Sequence, residues 1–262
     1  MKKIKKKLII SFSVLIAAGT LLGIYLALRS DSFIVNRVEI SGSMERAPLS
    51  QQDVMKLAGV PLGRVSIFSL DLKKIESDLL NHEWIKHVRL VKKPEHTLNI
   101  FITYRQPAAL FQSKKGLLSY VDEEGRVFGD YESEQGYDLP LLVGFSDLDR
   151  SRILDALKIY SAWQAHQMSK ISALSSIFWD ENRGFRLLVS YGVGQQEGDR
   201  VVGGRRMVRT MIDLGLEGES TLQSKFHHLL NVFQYLGEHS IAVRQVWTDL
   251  GKKVVVKTVS DS

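Results

Sequence analysis

The chain contains no cysteine, which excludes disulfide scaffolds, Cys-ligated zinc, iron–sulfur clusters and thiol nucleophiles. Proline is scarce, 5 in 262 residues, beside 44% hydrophobic and 24% charged residues, so extensive disorder and collagen-like repeats are excluded as well. Acidic charge is the third shortage: Asp+Glu 29 against Lys+Arg 35 gives +6 and a pI near 9.4. A basic balance invites a nucleic-acid reading, but the excess is local. Five Lys lie within Met1 to Lys7 with no acid, which leaves +1 for the rest.

Directly after that tail, Leu8 to Leu28 runs without an acid, Lys, Arg or His; its polar members are Ser11, Ser13, Thr20 and Tyr25. A helix of this length spans about 32 Å, enough to cross the hydrocarbon core. The competing reading is a cleaved signal peptide, whose apolar stretch is usually ~7–15 residues followed by a small-x-small site. The run here is longer and Tyr25-Leu26-Ala27-Leu28 is a weak match, which favours a retained anchor. Basic charge on the short N-terminal side places that side in the cytoplasm. The lipid bilayer is then the partner of residues 8–28, and the chain from about residue 30 onward is extracytoplasmic.

The exported part opens with a β-branched run, Phe33 to Ile40, closed by Ser41-Gly42. Ser50-Gln-Gln-Asp53 has capping-box spacing and leads a short helix that stops at Gly59. Asp71 can cap a second helix with Leu72, Ile75, Leu79 and Leu80 on one face. Strands at Ile85 to Val91 and Leu98 to Tyr104 follow, joined by a turn at Lys92 to His96. The order is β-α-α-β-β. From Pro107 short strands alternate with turns: Ala108 to Gln112, Leu117 to Val121, Arg126 to Gly129 and Leu139 to Gly144. Ser146-Asp-Leu-Asp149 repeats the capping spacing before a stripe of Ile153, Leu157, Tyr160 and Trp163. Strands at Leu174 to Trp179, Phe185 to Tyr191 and Met207 to Leu214 come next, with Gly192 to Arg206 read as a long loop. A last helix carries Phe226, Leu229, Leu230, Phe233 and Leu236, and the chain closes with strands at Ala242 to Asp249 and Lys253 to Thr258.

Catalytic chemistry does not assemble from this pattern. No pair of His has the H-x-x-x-H spacing of a helical metal site, and His227-His228 diverge by ~100° on a helix. No G-x-S-x-G elbow is present, and Gly192-Val193-Gly194 lacks the third Gly of a dinucleotide cradle. Lys92-Lys93 and Arg205-Arg206 with Arg209 are short basic clusters beside strands, read as solvated faces, so no nucleic acid is expected. No catalytic residue, metal or cofactor is expected. The remaining feature is Val254-Val255-Val256 between Lys252-Lys253 and Lys257. At a sheet edge it would template a partner strand; as a central strand it would finish the core. Both readings stand on the residues alone.

A set of short motifs runs in order after the single span. They are Phe33 to Gly42, Ser66 to Asp71, Trp84 to Val91 with Pro94, Leu98 to Ile100, and Arg105-Gln106-Pro107-Ala108-Ala109. Tyr120 to Asp122, Gly125 to Phe128, Leu139-Pro140 with Gly144, Leu214-Gly215, Lys225 and Thr248-Asp249-Leu250 complete it. In this order they resemble the bacterial cell division family FtsQ/DivIB, with a POTRA-type domain and a β domain. Tyr104 stands where that family usually has Glu, and Gly251 where Arg commonly follows Asp-Leu.

The resemblance implies an α+β architecture: a basic tail (1–7), a transmembrane helix (8–28), a POTRA-like domain (33–104) and a β domain (105–259) with helices packed on an antiparallel sheet. It implies a non-enzymatic divisome assembly factor in the cell inner membrane, single-pass and type II, with periplasmic domains. Partners would be FtsB and FtsL at the C-terminal strand, with other division proteins at the POTRA-like domain. Carried over by position, the partner-binding residues are Lys252, Lys253, Val254, Val255, Val256, Lys257 and Thr258, which turns the open question toward an exposed edge. Two other classes compete: an anchored envelope enzyme acting on cell wall, which needs a cleft with converging catalytic groups, and a POTRA-bearing secretion component, which needs a following barrel.

Overall fold

The computed structural model describes residues 12–23, 25, 33–42, 49–93, 95–131, 136–197, 200–216, 222–250 and 253–258. Two compact units divide the chain, Met1–Arg105 and Gln106–Ser262. Residues 12–23 form a helix, α1. The tail 1–7 and, apart from Tyr25, the rest of the expected span 8–28 lie outside the described residues. Among the described residues no helix is long and apolar enough to cross a membrane.

The first unit continues as β1 (Arg37–Gly42), α2 (Gln51–Ala58), α3 (Leu72–Leu80), β2 (Ile85–Lys93) and β3 (Thr97–Tyr104), the β-α-α-β-β order read from the sequence. Local chemistry sets the helix ends. Ser50 Oγ accepts from the Asp53 amide at 3.2 Å and donates to the Asp53 carboxylate at 2.6 Å, while Gly59 closes α2 in the left-handed region. Asp71 caps α3 by accepting from the Lys74 amide at 3.1 Å. β3 is the middle strand, parallel to β1 and antiparallel to β2. Its consecutive residues Leu98, Asn99 and Ile100 are all buried, as suits a strand flanked by a neighbour on each side. Ile75 and Leu79 of α3 are buried, but Leu80 is exposed, because one step along a helix turns it ~100° from Leu79. Lys92 and Lys93, expected in the turn, stay in β2 opposite Leu98 and Thr97. The hairpin instead turns through His96, whose φ is positive; Pro94 lies outside the described residues.

The second unit is one nine-stranded sheet with two long helices. In chain order it holds β4 (Pro107–Gln112), β5 (Leu118–Asp122), β6 (Val127–Asp130), β7 (Leu141–Val143), α4 (Arg150–Ala165) and β8 (Ser172–Asp180). It then holds β9 (Gly184–Glu197), β10 (Arg200–Gly215), α5 (Leu222–Glu238), β11 (Val243–Leu250) and β12 (Lys253–Thr258). The spatial order is β12-β11-β10-β9-β8-β7-β4-β5-β6. The sheet is mixed where an antiparallel one was expected: β4 with β7, β7 with β8, and β10 with β11 run parallel. A helix crossover between neighbouring strands makes parallel pairing possible, and α4 and α5 are those crossovers. Because β8, β9 and β10 alternate in direction, β7 and β10 point the same way and both crossovers step in the same sense along the sheet. Right-handed connection then puts both helices on one face. The rings agree, since Trp163 of α4 meets Phe226 of α5 edge-to-face with centroids 5.3 Å apart.

The expected loop from Gly192 to Arg206 is instead the continuation of β9 and β10, paired from Glu197 with Arg200 inward. Glycine misleads here: its low strand propensity suggests a loop, but the antiparallel ladder satisfies the backbone regardless. Gly203-Gly204 coincide with a register shift between Val202 and Arg205, the usual setting for glycine in a strand. In α4 the cap is Asp149, accepting from the Arg152 amide at 3.1 Å, while Ser146 shapes the preceding turn. The buried stripe is Ile153, Ala156, Ile159 and Trp163, with Leu157 and Tyr160 only partly buried beside it.

Two glycines are required by close approach. Gly144 has φ 83° and a Cβ there would overlap the Trp179 carbonyl; Gly184 has φ 75° and a Cβ would overlap the Gly215 carbonyl. Both positions are where strand ends cross at van der Waals distance, so any side chain must push backbone aside.

Candidate functional site

β12 terminates the sheet. Its pairing is to β11 alone, with Val243 opposite Thr258, Val246 opposite Val256 and Trp247 opposite Val255. Among the described residues no strand pairs with its other side. The run of β-branched residues forms a strand for the reason given by propensity, and the edge position is set by topology. Side chains alternate across the sheet: Val254 packs partly buried against the core, whereas Val255 and Val256 are 43% and 38% exposed. Val256 shares its face with Val254 yet is uncovered, so both faces of the strand open towards its C-terminal half. Lys257 and Thr258 are exposed, and Lys252 lies outside the described residues. The arrangement offers backbone donors and acceptors to an incoming strand, with apolar contacts on either face and a cation at Lys257.

An edge is useful only if the strand behind it is fixed, and β11 is joined to β10 by just the parallel run Met211–Asp213 against Gln245–Trp247. Polar side chains brace that short join. Tyr191 on β9 donates its hydroxyl to the Ile241 carbonyl at 2.9 Å and accepts from the Val243 amide at 3.1 Å. Thr210 Oγ1 donates to the Val243 carbonyl at 2.6 Å, and Thr248 Oγ1 to the Asp213 carbonyl at 2.9 Å. The Gln245 amide donates to the buried Asp213 carboxylate. Behind them Lys225 of α5, largely buried, donates Nζ to the Leu214 carbonyl at 2.7 Å. Three motif positions distant in sequence, Leu214, Lys225 and Thr248, therefore converge at this one join. The roles of Tyr191, Thr210, Asp213 and Gln245 were not legible in the sequence. Tyr191 acts on backbone fifty residues downstream, and no local signal marks such a pairing.

Burial pushes the Tyr191 hydroxyl above its ordinary value. A raised phenol contributes stability that is intact below the unfolded value of about 10 and is lost as pH rises through the folded one. Tyr191→Phe is expected to lower stability near neutral pH by about 1–3 kcal/mol, because the Val243 amide loses its acceptor in a buried place. It is also expected to show less alkaline loss than wild type. Chemical denaturation of the full chain in detergent at neutral and alkaline pH measures both.

Elsewhere the described residues hold no group of three His, Asp or Glu placed to bind a metal. His227 and His228 stand with ring centroids 6.4 Å apart on α5, and Lys92 donates to the Phe68 and Leu70 carbonyls at 3.4 and 3.2 Å.

Comparison with known proteins follows the two units. Residues 33–105 match the family model of the POTRA domain of FtsQ type, and residues 109–246 match that of the cell division protein FtsQ/DivIB C-terminal region. The second match stops within β11, before the edge strand. Among relatives, a protein of Geotalea daltonii named cell division protein FtsQ is 27% identical over 177 residues, 64% of this chain. The chain spans only 62% of that relative's length. Proteins of the same name from Myxococcus fulvus and Geobacter sp. are 28% and 24% identical, over 78% and 83% of this chain and 72% and 75% of their own lengths.

Proposed function

This chain belongs to the FtsQ/DivIB family of cell division proteins, and from that premise we propose that it is a non-enzymatic assembly factor of the division septum. In this reading residues 8–28 anchor it once in the cell inner membrane, with the basic tail in the cytoplasm and both units on the periplasmic side. The apolar run after five Lys supports that topology. The β12 edge takes up the FtsB–FtsL complex by strand addition, and the POTRA-like unit receives other division proteins.

The observation that carries the docking reading is the position of β12 at the end of the sheet order, with Val255 and Val256 exposed. Strand addition draws affinity from backbone hydrogen bonds and specificity from alternate side chains. Lys253 and Lys257, with Lys252 before them, favour an acidic incoming segment. A fluorescent fusion of the full chain is expected to form a mid-cell ring in dividing cells. Uniform envelope signal throughout the cycle would overturn the proposal.

A further inference from the structure

The first unit carries an aromatic face at the end where the chain enters it. Phe33 packs edge-to-face on Phe68 with centroids 5.2 Å apart, and His96 stands 6.4 Å from Phe33. Phe68 lies in a 3-10 turn, Ile67–Ser69. Its neighbour Ile67 is buried in the core, and the step from one residue to the next in such a turn sends Phe68 outward, where it is 53% exposed. Leu62, in the adjoining turn that pairs with the entering chain through Gly63 and Val35, is 40% exposed. Arg64 follows it at the surface. The Lys92 ammonium covers the back of the turn, and partial burial lowers its pKa. An exposed ring backed by the half-buried Phe33 and flanked by an exposed Leu makes a small apolar surface that suits an apolar environment.

We infer that this face rests in the interfacial layer of the lipid bilayer, with Phe68 and Leu62 at headgroup depth and Arg64 toward the phosphates. The inference rests on the anchored topology proposed above. Chain length identifies the occupant. Four residues separate Leu28, at the end of the apolar run, from Phe33, and even fully extended the five steps between those two reach only about 17 Å. The headgroup layer occupies roughly 5–8 Å of that distance on each side of the hydrocarbon. The opposite end of the unit, where β2 starts beside Glu83, is about 26 Å farther along the strand. The Phe68 end is thus the end that the tether keeps nearer the membrane, within about 12 Å of the headgroup layer. Apolar side chains and cations at that depth suit the interface, which accepts rings and aliphatic groups below the phosphates and Arg among them.

The absence of cysteine makes the test direct, since a single introduced thiol is the sole labelling site. The full chain carrying Phe68→Cys, Leu62→Cys or, as reference, Glu83→Cys is reconstituted in vesicles of phosphatidylethanolamine and phosphatidylglycerol and labelled with a nitroxide. The labels at 68 and 62 are expected to collide at least several-fold more with oxygen, relative to a water-soluble nickel chelate, than the label at 83. Retaining Phe68 in the Leu62→Cys chain keeps the test valid if Phe68→Cys disturbs the turn. Equal, water-like accessibility at all three positions in chains that float with vesicles after alkaline carbonate overturns the inference and leaves the anchor standing. Chains released by carbonate overturn both.

Discussion

Proline placed at position 255 or 256 is expected to split two effects that the wild-type edge combines. In an antiparallel pair successive residues send their N–H groups to opposite sides of the strand. Since Val255 and Val256 stand opposite Trp247 and Val246 in turn, one of the two donates to β11 and the other to the open side. Proline has no N–H to give and its ring obstructs a neighbouring strand. On the docking proposed above, one variant should therefore retain the stability of the second unit while its affinity for FtsB–FtsL drops at least tenfold, about 1.4 kcal/mol. The other should loosen β12 from β11, visible as a lower denaturation midpoint together with weaker binding. Titration of the full chain in detergent with FtsB–FtsL, paired with denaturation of each variant, reads both outcomes. Unchanged affinity in two folded variants would remove the edge from consideration as a dock.

The largest loss of stability is expected from Trp163→Ala. Trp163 is completely buried, it lies where α4 meets Phe226 of α5, and both helices close the same face of the sheet. Truncating a buried Trp to Ala costs about 3–5 kcal/mol in transfer and cavity terms, a large part of the 5–15 kcal/mol that holds a typical domain together. Trp163→Phe should cost far less, about 1 kcal/mol. The indole nitrogen has no hydrogen-bond partner among the described residues, so replacing it forfeits volume without forfeiting a bond. Denaturation midpoints that fall equally for Ala and Phe would show that ring volume is not what joins the helices.

The helix ends were legible because their causes are local. Ser50, Gly59 and Asp71 each act within four residues of themselves, and a linear pattern contains all that such an interaction requires. The Asp122 turn has a cause of the same local kind, its carboxylate accepting from the Glu124 and Arg126 amides at 3.0 and 2.9 Å. What sequence patterning misread are features settled at a distance. Gly192, Gly194, Gly203 and Gly204 suggest a loop until a partner strand is present to pair with. In α4 Ile159 is buried where Tyr160 is only partly so, a choice made by what the helix packs against and not by its spacing. The candidate strand itself was visible in three consecutive valines, whereas its place at the end of the sheet follows from the whole strand order and from no segment of it.

That place in the order has a consequence in time. β12 is laid on β11, β11 joins β10 only after α5 has crossed over, and β10 needs β9 and its Tyr191 to hold the seam. The edge is consequently completed only after the strands that precede it in the chain are in place. A chain whose second unit has failed to close presents no template, so recruitment through β12, as proposed above, would report that this unit has folded. An edge formed from the opening strand would carry no such information.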